Sequence, residues 1–63
     1  MISRRQFIKH VEHHGCSLLR HGNKHDIYKN DISPSLISSI PRHTQINPYT
    51  AKGICRDLGI PQF

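Results

Sequence analysis

Two amphipathic segments, each with start and stop signals for a helix, occupy the two ends of a chain of only 63 residues. In the first, Ser3 and Gln6 fit a capping box, and Gly15 is placed to end the helix. In the second, Asn47 suits the N-cap and Pro48 the first helical position. Apolar residues recur between these signals at helical spacing: Phe7, Ile8 and Val11, then Ala51, Ile54, Cys55 and Leu58, after which Gly59 ends the segment. We therefore expect a helix at each end of the fold.

The residues between the two helices are divided by turn residues and predict three short strands. The runs CSLLRH and HDIYKN flank residues 22–24, which are typical of a glycine-containing hairpin loop. A third run, residues 35–40, ends before Pro41, which cannot donate to a β-ladder. Because the connections are short, we predict a single α+β domain over residues 1–63 in the order α-β-β-β-α. Its three-stranded antiparallel sheet has both helices on one face.

The charge and the size of the chain favour a large polyanionic partner. Nine Lys and Arg against four Asp and Glu give a net charge of +5 and a pI near 9.8. The charges are spread along the chain, which disfavours a disordered basic arm. A domain of this size buries only about 60% of its unfolded surface, so a deep cavity for a small substrate is not expected. The pattern indicates nucleic acid, with a basic surface of no particular role as the alternative.

Several types of catalytic site are disfavoured by the residues present. His10 and His14 are spaced i, i+4 on the first helix, but no third ligand follows at a diagnostic spacing. Cys16 and Cys55 lie among apolar neighbours, where we expect buried, unreactive thiols. Four acidic residues are few for a two-metal nuclease, and there is no glycine-rich phosphate loop. We therefore expect no metal and no small-molecule cofactor.

Neither an export signal nor a membrane anchor is indicated by the sequence. Met1 is followed by ISRRQF, and no apolar run of about 20 residues comes after it. The default expectation is a cytoplasmic protein with reduced thiols and no membrane contact.

One histidine stands out in the predicted hairpin. In a three-stranded meander the start of the second strand and the end of the third lie at the same end of the sheet. His25 opens the second strand, and Arg42 and His43 leave the third. An imidazole beside fixed cations is what metal-free RNA cleavage requires, because a base must take the 2′-OH proton and a cation must steady the phosphorus. The residues alone leave open that His25 is an idle surface histidine.

Three stretches resemble the HicA-type toxins of bacterial toxin–antitoxin systems: HGCSLLRHGNKHDIY, then IPRH, then NPYTAKGICRDLGI. Members of that family are small mRNA interferases with a double-stranded-RNA-binding-like α-β-β-β-α fold. The similarity spans nearly the whole chain in the family's order. One departure precedes His25, since Asn23-Lys24 stands where the family commonly has Gly-Ser.

The resemblance implies the role of His25, and the charged residues around it complete the expected site. His25 matches the family's catalytic histidine, three residues before Tyr28, and we expect it to act as the general acid or base. Lys24, Arg20 and Arg42 are expected to hold phosphate, and His43 is a candidate second proton carrier. The implied partners are mRNA and a HicB-type antitoxin that covers the active face.

Two alternatives to an RNA-cleaving enzyme stay open. A non-catalytic RNA-binding module would use the basic surface without needing His25. A pure interaction protein, acting as a basic cap on an acidic partner, would show no salt-sensitive affinity for RNA.

Overall fold

A computed structural model describes all the residues from Met1 to Phe63, which form two α-helices and five short strands. In chain order these are β1 (Ile2–Ser3), α1 (Arg4–His13), β2 (Cys16–His21), β3 (His25–Asn30), β4 (Ile37–Pro41), β5 (Gln45–Ile46) and α2 (Pro48–Leu58). The predicted order α-β-β-β-α is confirmed by α1, β2, β3, β4 and α2. Strands β1 and β5 are additions to it.

Both helices begin and end where the sequence predicts. The Ser3 hydroxyl accepts from the Gln6 amide at the start of α1, and the Asn47 side chain accepts from the Tyr49 amide at the start of α2. Gly59 follows α2 with a φ of 69°, a left-handed conformation that glycine adopts without strain. Neither helix has the length and apolar character needed to cross a bilayer.

The main sheet is a three-stranded antiparallel meander in the order β2-β3-β4, as predicted. Tyr28 in the central strand lies opposite Leu18 in β2 and Ser38 in β4. A bulge between Leu18 and Arg20 interrupts the β2–β3 register, which increases the local twist of the hairpin. This sheet positions the hairpin loop that carries the candidate site.

The third strand begins and ends later than predicted, at Ile37–Pro41 instead of residues 35–40. Its start is delayed because the preceding turn extends to Leu36, whose amide donates to Ser33 and whose carbonyl accepts from the Asn30 amide. Pro41 is accommodated because β4 is an edge strand of the sheet. The carbonyl of Pro41 accepts from Arg4 Nε at 2.7 Å.

The two-residue strands β1 and β5 pair with each other in a second, separate sheet. Ile2 lies opposite Ile46, and Ser3 lies opposite Gln45. This pairing is not predictable from the sequence, because a two-residue strand shows no periodicity. Its consequence is that the start of α1 lies beside the chain that leaves β4, as the 2.9 Å bond from the Arg4 amide to the Thr44 carbonyl shows.

One apolar core holds the helices against the sheet. Its ten buried members are Phe7, Val11, Cys16, Tyr28, Ile40, Ile46, Ala51, Ile54, Cys55 and Leu58. The burial predicted for Cys16 and Cys55 is confirmed, and both are free thiols. Burial raises the pKa of both thiols, which disfavours the thiolate that a nucleophilic cysteine needs.

Candidate functional site

The hairpin end of the sheet brings His25 beside the exit of β4. His25 lies opposite Pro41 in the β3–β4 register, so Arg42 and His43 leave the sheet at that same end. The predicted convergence of these two sequence segments is thus confirmed. All three of His25, Arg42 and His43 are exposed to solvent.

The alternation of side chains along β3 puts His25 and Asp26 on opposite faces of the sheet. Asp26 and Tyr28 are buried on the face that the helices cover, and His25 is exposed on the open face. Arg20 lies opposite Ile27, which shares the open face with His25. The open face therefore holds a solvent-exposed imidazole and a solvent-exposed guanidinium near the hairpin loop.

The loop that carries His25 is held in a tight conformation by its own backbone. The Gly22 amide donates to the His25 carbonyl at 2.7 Å. A Cβ atom at position 22 would stand only 2.8 Å from that same carbonyl oxygen, so a side chain there would force the loop open. Glycine is needed at this position for close approach, not for an unusual φ.

Arg42 holds the same loop from outside with its guanidinium. Its Nη2 donates to the carbonyls of Gly22 at 2.7 Å and His25 at 3.3 Å, and its Nη1 donates to the carbonyl of Asn23 at 3.1 Å. These contacts use backbone oxygens, so they do not depend on the side chains at positions 23 and 24. The departure from the family's Gly-Ser therefore leaves the clamp on the loop intact.

Asp26 is the buried anchor of this arrangement. Its Oδ2 accepts from Arg4 Nη2 at 2.8 Å. Its Oδ1 accepts from Arg42 Nε at 2.9 Å and from His21 Nδ1 at 2.8 Å. We call these four residues the Asp26 cluster. It joins α1, β2, β3 and the residue after β4, so the loop with His25 is tied to the body of the domain.

The protonation states in the Asp26 cluster follow from its hydrogen bonds. The hydrogen bond from His21 does most to lower the pKa of Asp26, burial opposes it, and Arg42 adds to it, giving a pKa of about 2. An ionised carboxylate only accepts hydrogen bonds, so His21 must donate through Nδ1. The Nε2 atom of His21 is therefore directed away from the carboxylate, on a side chain that is 71% exposed.

No role was predicted from the sequence for Asp26, Arg4 or His21, although His21 belongs to the polar and charged residues clustered on the predicted hairpin. One signal was available, because Asp26 shares its strand parity with Tyr28 and so places a charged side chain at an inward position. A charge at such a position needs partners of opposite sign. Which cations supply them depends on contacts such as that of Arg4 with Asp26, 22 residues apart in the chain.

The other predicted residues are near this end of the sheet without joining the Asp26 cluster. Lys24 and Arg20 are exposed and form no ion pair, so their charges are free to meet an anion. His43 is exposed in the β4–β5 connection and makes no side-chain hydrogen bond within the chain. Arg42 differs from them, because most of its donors are used inside the protein.

The histidines at the end of α1 do not form a metal-binding arrangement. The ring centroids of His10 and His14 are 4.6 Å apart, and His13 stands 5.3 Å from His14. No group of three or more His, Cys, Asp or Glu side chains converges anywhere in the chain in the way that a metal ion requires. His10 instead makes a 2.7 Å hydrogen bond through Nε2 with the Pro61 carbonyl.

Comparison with known proteins adds the family. The profile described as "HicA toxin of bacterial toxin-antitoxin" matches residues 4–60 of the 63. No curated protein and no solved structure matches the chain significantly. The matched range includes both helices, the three-stranded sheet and every residue of the candidate site. The chain therefore belongs to the HicA family of bacterial toxins from toxin–antitoxin systems.

Proposed function

We propose that this protein is an endoribonuclease that cleaves mRNA without a metal ion and so blocks translation. The observation that carries the proposal is the exposed imidazole of His25 on a loop that Arg42 and Asp26 hold in place. A catalytic group must be presented to the substrate in a fixed geometry, and this loop combines exposure with restraint. Membership of a toxin family supports the same conclusion.

The reaction we propose is attack of a ribose 2′-OH on the adjacent phosphorus. A base removes the 2′-OH proton as the new P–O bond forms, and an acid protonates the departing 5′-oxygen as the old P–O bond breaks. The products are a 2′,3′-cyclic phosphate, or its hydrolysis product, and a 5′-OH. His25 supplies one of these proton transfers, since imidazole populates both forms near neutral pH.

The cations around His25 have two different roles in this proposal. Lys24 and Arg20 bind phosphate, because both are exposed and neither forms an ion pair. Arg42, which we expected from the sequence to hold phosphate, acts first as a positioning residue through its bonds to the loop carbonyls. His43 stays a candidate for the second proton transfer, because it is exposed one residue beyond Arg42.

The partners we propose are mRNA and a HicB-type antitoxin, with the toxin acting in the cytoplasm. A toxin of a toxin–antitoxin family requires an antitoxin. The open face around His25 is the surface whose coverage would stop cleavage. It carries the exposed Arg20, and the exposed Lys24 lies in the adjoining hairpin loop. An antitoxin with acidic residues at its contact surface would complement them.

Replacing His25 with Ala tests the enzyme against the non-catalytic RNA-binding alternative. We expect cleavage of a labelled single-stranded RNA to fall by ~10²–10⁴-fold, the usual contribution of a positioned acid or base. RNA affinity should stay close to that of the parent protein. His13→Ala is the matched control, since it removes an exposed histidine from α1. Full cleavage by the His25→Ala protein would rule out the assignment.

Two further measurements test the remaining parts of the proposal. Cleavage should continue in excess EDTA, and loss of activity on chelation would overturn the metal-free reaction. Mass spectrometry of the products should find the cyclic phosphate and the 5′-OH. An RNA that binds tightly but is never cut by the parent protein would favour the non-catalytic binding module.

A further inference from the structure

A groove lies between helix α1 and the chain that leaves β4, on the helix side of the Asp26 cluster. Its volume is about 660 Å³. One wall is a single face of α1 that includes Arg4, Arg5 and Lys9, and the other wall includes Arg42. The pairing of β1 with β5 forms this groove, because it places the start of α1 beside the β4–β5 connection.

The groove is strongly cationic, and its cations differ in how far they are neutralised. Arg4 and Arg42 share the carboxylate of Asp26. Arg5 and Lys9 are exposed and take part in no ion pair or side-chain hydrogen bond. Glu12 is the only acidic residue in the lining. Arg5 and Lys9 therefore place two positive charges without an ion-pair partner one helical turn apart on the groove.

The lining also indicates the type of ligand. Ile8 is its only hydrophobic residue, whereas sites for small organic molecules are mostly apolar. Ser3 also lines the groove, and its hydroxyl accepts a hydrogen bond from the Gln6 amide, so the hydroxyl proton is available to donate to a ligand. Several cations and a hydroxyl donor around a single hydrophobic side chain suit phosphate groups.

The length of the groove suits a short stretch of nucleic acid. From Arg4 to Glu12 the helix rises about 12 Å at ~1.5 Å per residue. A stacked strand rises ~3.4 Å per nucleotide, so this length corresponds to about three to four nucleotides. The carboxylate of Glu12 marks the end of the cationic stretch, because it repels phosphate.

We propose that this groove binds the backbone phosphates of the single-stranded RNA segment on one side of the cleaved bond. The proposal rests on the proposed function, and it adds a binding surface separate from the open face with His25. Arg42 connects the two surfaces, since its guanidinium lines the groove and holds the loop of His25. The RNA strand thus passes around the end of the sheet from α1 to the open face.

The test is RNA binding in the His25→Ala protein, where cleavage does not interfere. Fluorescence anisotropy with a labelled single-stranded oligoribonucleotide is measured for an added Arg5→Ala/Lys9→Ala pair. We expect roughly a tenfold or greater loss of affinity, and a salt dependence shallower by about 1.4, since each phosphate contact to single strands contributes ~0.7. The matched control removes the same charge from α2, where Lys52→Ala/Arg56→Ala should have a smaller effect.

Glu12→Gln supplies a change in the opposite direction. It removes the one acidic residue of the groove, so RNA affinity should rise by about two- to fivefold.

If both pairs of Ala substitutions weaken binding equally, the RNA senses only net charge and the groove proposal is wrong. If poly-glutamate binds as tightly as RNA and loses as much affinity on the Arg5→Ala/Lys9→Ala substitutions, the groove is instead a surface for an acidic protein. If the parent protein does not cleave RNA, the proposed function is wrong, but the measured effect of the groove substitutions on RNA affinity still stands.

Discussion

Strand β3 has an aspartate close to each end, and the two carboxylates are held in different ways. Asp26, at the hairpin end, is 8% exposed and accepts hydrogen bonds from Arg4, His21 and Arg42. Asp31, just past the other end, is exposed and is paired with Lys29 and with the Ser17 hydroxyl. Both carboxyl groups have lowered pKa values, but only one organises a candidate site.

The difference lies in where the partners come from. Lys29 and Ser17 belong to the same hairpin as Asp31. Their contacts with Asp31 therefore join only strands that are already paired with each other. His21 likewise belongs to the hairpin of Asp26, but Arg4 comes from α1 and Arg42 from the residue after β4. A buried carboxylate shared by three separate segments fixes their relative positions, whereas an exposed pair contributes little. Asp26 accepts three side-chain hydrogen bonds and Asp31 accepts two, so the two ends differ more in the origin of the partners than in their number.

The largest effect should follow from removing the charge at the hairpin end. Asp26→Asn leaves Arg4 and Arg42 close together without their shared counter-ion, and the loop of His25 loses its anchor. We expect cleavage to fall by roughly 10²-fold, the effect of about 1 Å of misplacement of a reacting group. Single-turnover kinetics measure the loss. Parent-like cleavage by Asp26→Asn would mean that the cluster does not position His25.

A smaller effect should come from Arg42→Lys, which keeps the charge and removes the planar fork. A lysine at this position cannot reach the carboxylate and the loop carbonyls together, so positioning is lost while the charge that would attract phosphate remains. We therefore expect kcat to fall by about tenfold while KM stays nearly constant. Arg20→Lys is the control, because Arg20 makes no hydrogen bond that requires the fork. A rise in KM alone would return Arg42 to the role of a phosphate ligand.

The free energy of unfolding at acidic pH gives a third test of the hairpin end. The pKa of Asp26 is lowered to about 2, so its ionised form stabilises the fold above the unfolded value of about 3.9. That stabilisation should be lost as the pH falls from about 4 through about 2. Urea unfolding at several pH values should show that the free energy of unfolding of the parent protein declines over this range. The free energy of unfolding of Asp26→Asn should depend less on pH. If the free energy of unfolding falls as steeply with pH in the variant as in the parent protein, other carboxyl groups cause the decline.

The smallest effect should come from the other end of β3. Asp31→Asn removes an exposed carboxylate whose pKa is lowered chiefly by the hydrogen bond from Lys29, and then by that from Ser17. Exposed ion pairs contribute little, so cleavage should stay within about twofold of the parent and the urea midpoint should hardly move. A loss as large as that of Asp26→Asn would remove the contrast between the two ends.

Much of the fold could be predicted because its signals are local. Ser3, Asn47 and Gly59 act within one helical turn of themselves, and the strand runs are bounded by turn residues. The failures had two separate causes. The start of β4 depends on hydrogen bonds among Asn30, Ser33 and Leu36, and the β1–β5 pair joins residues too few to show a pattern.

The candidate site was predictable only in part. The meander topology places His25 beside Arg42 and His43, and the register of His25 with Pro41 confirms this. The role of Arg42 was not predictable, because nothing in its neighbours along the chain shows that its guanidinium reaches loop carbonyls. The Asp26 cluster was missed for the same reason.

The sequence by itself determined the two helices, the meander between them and the end of the sheet at which His25 lies. Caps, apolar periodicity and turn residues act over a few positions, so they are visible without coordinates. Only the tertiary structure decided which cations reach the buried carboxylate of Asp26 and which stay free in the groove along α1. Those choices depend on side chains that are distant in the chain and meet only when the core has packed.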